Sequence, residues 1–313
     1  MDPLRFLAET NGFFTRADAR EFGYADKHVT AMKRSGHWHT FRRGTYTFSD
    51  LWNQMNEIQR HQVRSHAVLR SLGSAVALSH VSGAIEHGIA SWGLPLDRVH
   101  VTRLDGGAGR VEGDVVHHEG FCLDSDVQEP GKHQVLAPDR CAIEAASWAS
   151  NEVALVMFDS LLHHRLATYD ELQARFRLMQ FWPKTRHLHI PVRMADGKCE
   201  SVGESRGRWL CWACGLPMPE LQFPVYDADG VLRGTCDWAW PDHRTLGEFD
   251  GRVKYGRLLL PGQDPGEVVF GEKQREDLLR ELTGFGMLRL TWSDYERPQV
   301  TSHRIARMLK LTG

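Results

Sequence analysis

Apolar residues follow helical spacing at the start of the chain and change to alternation within fifty residues. Leu4, Phe6 and Leu7 begin an amphipathic helix that Gly12 stops, with Phe13 and Phe14 packing behind it. Thr15, followed three residues later by Asp18, offers a variant capping box for a short helix from Arg16 to Phe22, which Gly23 ends. A third helix, from about Ala25 to Ser35, buries Val29 and Met32 and turns Lys27, His28, Thr30, Lys33 and Arg34 outward. Two alternating runs around Arg42-Arg43-Gly44 then predict a β-hairpin between Gly36 and Phe48.

Further along, the pattern predicts helices over Trp52 to Leu72, Ala75 to Ala90, Cys141 to Phe158 and Thr168 to Leu178. Strands are expected at Arg98 to Arg103 and Val115 to Glu119, around a turn at Gly106-Gly107. Pro183 to Gly197 has few periodic apolar residues and marks a boundary. Beyond it a helix runs from about Glu200 to Cys214 and is stopped by Gly215-Leu-Pro217. Strands follow at Pro219 to Tyr226, Arg233 to Trp240 and Arg244 to Asp250, then a helix around Lys273 to Arg280 and a last strand from Met287 to Trp292. The expected class is a multidomain α+β or α/β chain in three parts: a winged helix-turn-helix over 1–50, a mixed α/β connecting domain over 51–195, and an α/β domain over 196–313.

Charge sharpens the first part. A chain of 313 residues with net charge -2 says little about nucleic acid as a whole. Between Arg16 and Arg43, however, seven basic residues face three acidic ones, Asp18, Glu21 and Asp26. In a winged helix the third helix would enter the major groove of double-stranded DNA, while Arg42 and Arg43 of the hairpin would neutralise phosphates or enter the minor groove. The alternative is a protein-interaction module with a solvated charged face.

In the third part the alternation puts Asp237 with Thr235 and Ala239 on one face of its strand, and Glu248 with Asp250 and Leu246 on one face of the next. Carboxylates brought together in this way suit Mg²⁺ or Mn²⁺, which prefer hard oxygen ligands and can activate water for phosphodiester hydrolysis. Asp237, Glu248 and Asp250 are the candidate metal ligands. Lys254 or Lys273 would assist the transition state, and Arg206, Arg208, Arg252 and Arg275 would contact phosphates.

The remaining chemistry reads as structural. Six cysteines with no basic leader at MDPLRFLAET predict reduced thiols and a cytoplasmic protein. Cys211-Trp-Ala-Cys214, with Cys199 and Cys236, could hold zinc, but one CxxC in an apolar stretch is more often helix core. The histidines are scattered without ligand spacing. Ser79, His80 and Ser82 could form a nucleophilic site, yet a segment rich in Ala and Gly favours close helix packing. No run of about eighteen apolar residues predicts a membrane span.

Two family resemblances add to this. GFFTRADAREFGYADKHVTAMKRSGHWHTFRRGTYTF resembles the winged helix of AbiEi-type antitoxins. The segments ALSHVSGAIEHGI, VHVTRL and AIEAASW are similar to the region that follows it in actinobacterial proteins of that architecture. The resemblance implies a reader of promoter DNA that represses its own operon and has a toxin as its protein partner. In the last part GESRGRWL, GTCDWAWP, GEFDGRVKYG and the helix EKQRED resemble the very-short-patch-repair-like branch of the PD-(D/E)xK nucleases. That likeness implies a restriction-endonuclease-like fold and a metal-dependent DNA endonuclease, with Glu204, Asp237, Glu248, Asp250 and a lysine, Lys254 or Lys273, as catalytic residues. A double-strand cutter of this kind would often act as a homodimer. Asp250 stands where the usual motif has lysine, so the alternative is a degenerate nuclease domain in a non-enzymatic antitoxin or autoregulator that binds DNA or a toxin.

Overall fold

A computed structural model describes residues 2–129, 132–251 and 265–311, with residues 124 and 265–272 described by backbone alone. By its contacts the chain forms two units, one of residues 1–154 with 166–188 and one of residues 155–165 with 189–313.

The first unit opens with α1 (Pro3–Asn11), β1 (Phe14–Thr15), α2 (Arg16–Glu21), α3 (Asp26–Arg34), β2 (Trp38–Arg42), β3 (Thr45–Phe48) and α4 (Ser49–Gln54). Its strands form an antiparallel sheet in the order β1-β3-β2. The alternation that predicted the hairpin puts Trp38, Tyr46 and Phe48 around Phe14, whose ring meets that of Trp38 edge-on at 4.8 Å. The Thr15–Asp18 box forms as expected: the Thr15 amide donates to the Asp18 carboxylate at 2.7 Å and the Asp18 amide to Thr15 Oγ1 at 3.3 Å.

The rest of this unit holds α5 (Glu57–Leu72), β4 (Val76–Leu78), α6 (His80–Glu86), β5 (Val99–Arg103), β6 (Arg110–Glu112), β7 (Val115–His118), β8 (Val127–Gln128), β9 (Val135–Leu136) and α7 (Pro138–Ala146). Helix α8 (Asn151–His163) follows, its residues from 155 onward belonging to the second unit, and α9 (Tyr169–Met179) belongs again to the first. The strands make a six-stranded sheet, β6-β7-β5-β4-β9-β8, in which β5 runs parallel to β7 and β4 to β9.

Three expected helices are broken here, each for a local reason. Trp52 to Leu72 divides before Asn56, which exchanges hydrogen bonds with Gln59 and starts α5. Ala75 to Ala90 is strand first, because Val76 and Leu78 pair with Arg103 and Val101, and helix begins only at His80. Cys141 to Phe158 divides after Ala146: the Ser147 hydroxyl bonds back to the Glu144 carbonyl at 2.8 Å, and Ser150 caps the next helix by accepting from the Val153 amide at 3.3 Å.

The second unit contains α10 (His189–Met194), α11 (Val202–Ala213), β10 (Glu220–Tyr226), β11 (Leu232–Trp240), β12 (Thr245–Asp250), α12 (Pro265–Thr283), β13 (Gly286–Thr291), α13 (Trp292–Tyr295) and α14 (Pro298–Met308). Its mixed sheet runs β10-β11-β12-β13, antiparallel except for β12 with β13. The helix, three strands, helix and strand appear in the expected order. Trp292, expected in the last strand, instead enters a helix that Thr291 and Asp294 cap at 2.8 Å. Helix α11 lies close on the sheet: a Cβ at Gly207 would run into the Trp238 indole, and one at Gly203 into the Phe249 ring. Trp238 and Trp240 pack there with Leu210, Cys211, Leu288 and Leu290, while Cys236, Leu246 and Leu279 fill a second cluster.

Candidate functional site

Helix α3 buries Val29 and leaves Lys27, His28, Thr30, Lys33 and Arg34 exposed, as its spacing predicts. Two of these also shape the helix. His28 Nδ1 accepts from the Ala25 amide at 3.2 Å, and Thr30 Oγ1 donates to the Asp26 carbonyl at 2.9 Å. Asp26, the acidic residue opening the helix, lies 2.6 Å from Arg16 and 3.1 Å from Arg20, and these hydrogen bonds lower its pKa to about 2. The carboxylate that would repel a phosphate is therefore matched by two guanidinium groups. On the hairpin, Arg43 is exposed at the tip. Arg42 is half-buried, with Nε 3.7 Å from Asp114. The two hairpin arginines, equivalent in sequence, are thus not equivalent in space.

The second unit places the predicted acidic residues at the edge where β11 leaves β12. The last registered pair is Trp238 with Gly247. One step beyond, Asp237 accepts a hydrogen bond from the Phe249 amide at 2.7 Å. Across the sheet Gln222 has a left-handed φ of 50°, and the β10–β11 register passes from Leu221–Trp238 to Phe223–Cys236 without pairing Gln222 to Asp237. Glu248 lies 2.7 Å from Arg275 and 3.9 Å from Arg289, and Asp250 is 4.0 Å from Arg289. Arg289 also pairs with Glu276 at 2.6 Å. Among the described residues, this sheet brings no three carboxylate, imidazole or thiolate ligand atoms within 4.8 Å of one another.

Two expected site residues have other work. Glu204 completes the N-terminal cap of α11: its oxygens accept from Ser201 Oγ at 2.6 Å, from the Glu200 amide at 3.0 Å and from the Gln222 side-chain amide at 3.0 Å. Burial raises its pKa, and these donors oppose the shift. Arg208 is buried rather than open to a phosphate. It pairs with Asp159 at 3.0 Å and donates to the Met194 carbonyl, which corrects the phosphate-contact expectation. Helical spacing placed Arg208 on α11 without showing that a buried acid faces it. Arg206 lies over the Tyr295 ring at 4.5 Å, Arg275 also donates to the Thr235 carbonyl at 3.1 Å, and Lys273 is exposed on α12. Lys254 and Arg252 lie outside the described residues.

The scattered-histidine reading missed two convergences of possible ligand atoms: His66, Glu86 and His133 bring theirs within 4.8 Å of one another, and so do three further histidines of the first unit. In the first unit His80, His100 and His118 each offer a nitrogen, the three within 4.8 Å of one another. The available signal was His100 and His118 in neighbouring strand segments, together with Ser79-His80 at a strand-to-helix turn. Of the thiols, Cys211 packs in the core and Cys214 is exposed.

Comparison with known proteins places residues 1–49 in register with a family described as "Transcriptional regulator, AbiEi antitoxin". Two uncharacterized proteins of Mycobacterium tuberculosis, MT2308 of strain CDC 1551 / Oshkosh and Rv2248 of strain ATCC 25618 / H37Rv, are each 30% identical over 177 residues. Those matches cover 55% of this chain, and the chain spans 60% of the length of each relative. The crystal structure of the RV2827C protein from the same organism aligns with 71% of this chain and 83% of that one, with a TM-score of 0.38 and 13% identity. Among the described residues no helix is long and apolar enough to cross a membrane.

Proposed function

We propose that this protein is a DNA-binding transcriptional regulator of the antitoxin type, in which the N-terminal winged helix reads duplex DNA and a toxin is the protein partner. The observation that carries the reading is the exposed face of α3, with Lys27, His28, Thr30, Lys33 and Arg34, together with the exposed Arg43 of the wing. The family match over residues 1–49 supports it. Lysines on such a face neutralise phosphates, whereas an arginine or histidine at the helix surface can reach base edges.

Mobility shifts of the full chain on DNA from upstream of its own gene test this. Affinity should fall steeply with salt, Lys33→Ala should lower the salt slope by about 1, and Arg34→Ala should cost about 1–3 kcal/mol on the preferred sequence. Equal affinity for every duplex, unchanged by both substitutions, would defeat the reading.

A second reading, a metal-dependent endonuclease, is favoured by Asp237 and Glu248 standing one step past a registered strand pair, with Asp250 two residues on. The oxygen donors suit Mg²⁺ or Mn²⁺ by type, with Asp237, Glu248 and Asp250 as ligands and Lys254 or Lys273 assisting. Arg275 holds one Glu248 oxygen, so an ion would have to displace it. Cleavage of varied DNA substrates that requires both Mn²⁺ and Asp237 would establish this reading, and its absence would leave the regulator.

A further inference from the structure

The six-stranded sheet carries chemistry that DNA reading does not use. His100 sits in β5 and His118 ends β7; the parallel register pairs His118 with Thr102, two residues from His100, so both imidazoles rise from the same face. His100 Nδ1 lies 2.9 Å from His118 Nε2. His80, at the turn from β4 into α6, stacks on His118 with ring centroids 3.6 Å apart. The turn holds His80 at a φ of 50°, a left-handed conformation that costs a non-glycine residue energy and tends to persist where a side chain must be aimed.

Behind His80 stands a second layer. His80 Nδ1 is 3.1 Å from Ser79 Oγ and 3.3 Å from Glu144 Oε2. Glu144 is itself fixed by Arg140, whose Nε donates to it at 2.8 Å and whose Nη1 donates to Asp126 at 2.8 Å. Arg140 is 2% exposed, yet its Nη2 has no hydrogen-bond partner among the described residues. A virtual Cβ on Gly120 would lie 3.5 Å from that nitrogen, so it lies beneath the segment that follows His118.

We propose that His80, His100 and His118 form a binding site for a borderline transition-metal ion of the Zn²⁺ class, with Glu144 as the carboxylate that orients His80. Three imidazoles suit Zn²⁺ and not Mg²⁺, and a three-histidine set leaves a fourth coordination position for water or a ligand. With Nδ1 turned toward Glu144, His80 would ligate through Nε2, the carboxylate–histidine–metal arrangement in which the outer acid fixes tautomer and ring. Burial, the largest effect on each, holds His100 down to about 4 and His118 down to about 3, and pushes His80 well below its ordinary value. Stacked rings hold their nitrogens side by side, so an ion would tilt His118 away from His80 and replace the His100–His118 hydrogen bond.

A nearby cluster serves as the internal control. His66 Nε2 lies 3.0 and 2.9 Å from the two Glu86 oxygens, and its ring stacks on His133 at 4.0 Å. That nitrogen is already committed to Glu86, and Arg70 and Lys132 line the same cavity of about 770 Å³.

The test is titration of the full chain with Co²⁺, followed by the visible d–d bands of a four-coordinate ion and by competition with Zn²⁺. We expect one equivalent to bind with those bands. His100→Gln and His118→Gln should abolish them, Glu144→Gln should weaken binding about 10–100-fold, and His66→Gln should leave them intact. Absence of the bands in the natural protein overturns the proposal, as does their survival in both ligand variants or their loss in His66→Gln alone. Circular dichroism separates loss of ligand from loss of fold. Should the variants unfold, imidazole nitrogen shifts of the natural protein on Zn²⁺ addition decide: movement of three rings including His118 supports the site, and no movement defeats it.

Discussion

The two sheets of this molecule set their polar residues on adjacent strands by the same pairing rules and arrive at opposite electrostatics. In the six-stranded sheet, three partly buried imidazoles meet, and burial holds the pKa of His100 and His118 below the ordinary value. In the four-stranded sheet, Glu248 and Asp250 are met by Arg275 and Arg289, and Asp237 by a backbone amide. The difference follows from what each group loses on burial. An imidazole can shed its charge at neutral pH at modest cost, whereas a carboxylate keeps its charge and draws cations to it. At this acidic edge an added cation would compete with guanidinium groups that the chain already supplies.

The strongest way to break the contrast is to remove a cation from the charged unit. Arg208→Met leaves Asp159, buried and with its carboxyl already pushed up by burial to about 6, without a partner. Losing one member of a buried pair should lower unfolding free energy by about 3–5 kcal/mol in urea denaturation. Asp159→Asn on that background should recover part of it. A loss below about 1 kcal/mol would mean the pair is not buried as described.

The first unit should respond to pH instead, through His61 of α5. His61 donates or accepts through Nε2 with Ser82 Oγ at 2.8 Å and through Nδ1 with the Leu96 carbonyl at 3.1 Å, and burial lowers its pKa to about 4. An unfolded histidine titrates near 6.5, so between that value and about 4 the unfolded state binds the proton that the folded state refuses. Stability is thus fully present above about 6.5 and falls as the pH is lowered, by about 2 kcal/mol at pH 5 from this group alone. Denaturant midpoints at pH 7 and 5 measure it, and His61→Gln should flatten that part of the slope. An unchanged slope in the variant would show that His61 is not the group responsible.

The smallest effect is expected at the exposed pair. Arg275→Ala removes the 2.7 Å contact with Glu248 from a side chain about half exposed, and should change stability by less than about 1 kcal/mol. A larger loss would make the acidic edge a structural network and not a surface arrangement.

Much of this fold was legible in the chain because local signals agreed: the Thr15–Asp18 box, the alternation through Trp38 and Phe48, and the turn between Tyr226 and Leu232. The failures share a cause. Val76–Leu78 carries no strand alternation of its own, because it is covered on both faces and takes its conformation from β5 and β9. The partners of Arg208 and Glu204 were not legible, because spacing gives the face of a helix but not what lies opposite, here Asp159 and Gln222. The histidine convergence depends on a parallel register between β5 and β7, and neither strand alone encodes which residues will be neighbours.

Gly203 and Gly207 carry a consequence for how the second unit tolerates change. With indole and phenyl rings where their side chains would stand, these two positions act as spacers that fix the gap between α11 and the sheet. A methyl group at either would lift the helix and strain the Glu204–Gln222 tie to β10, the strand that neighbours the one carrying Asp237. The surroundings of the acidic edge are thus governed partly by two residues that have no functional groups at all.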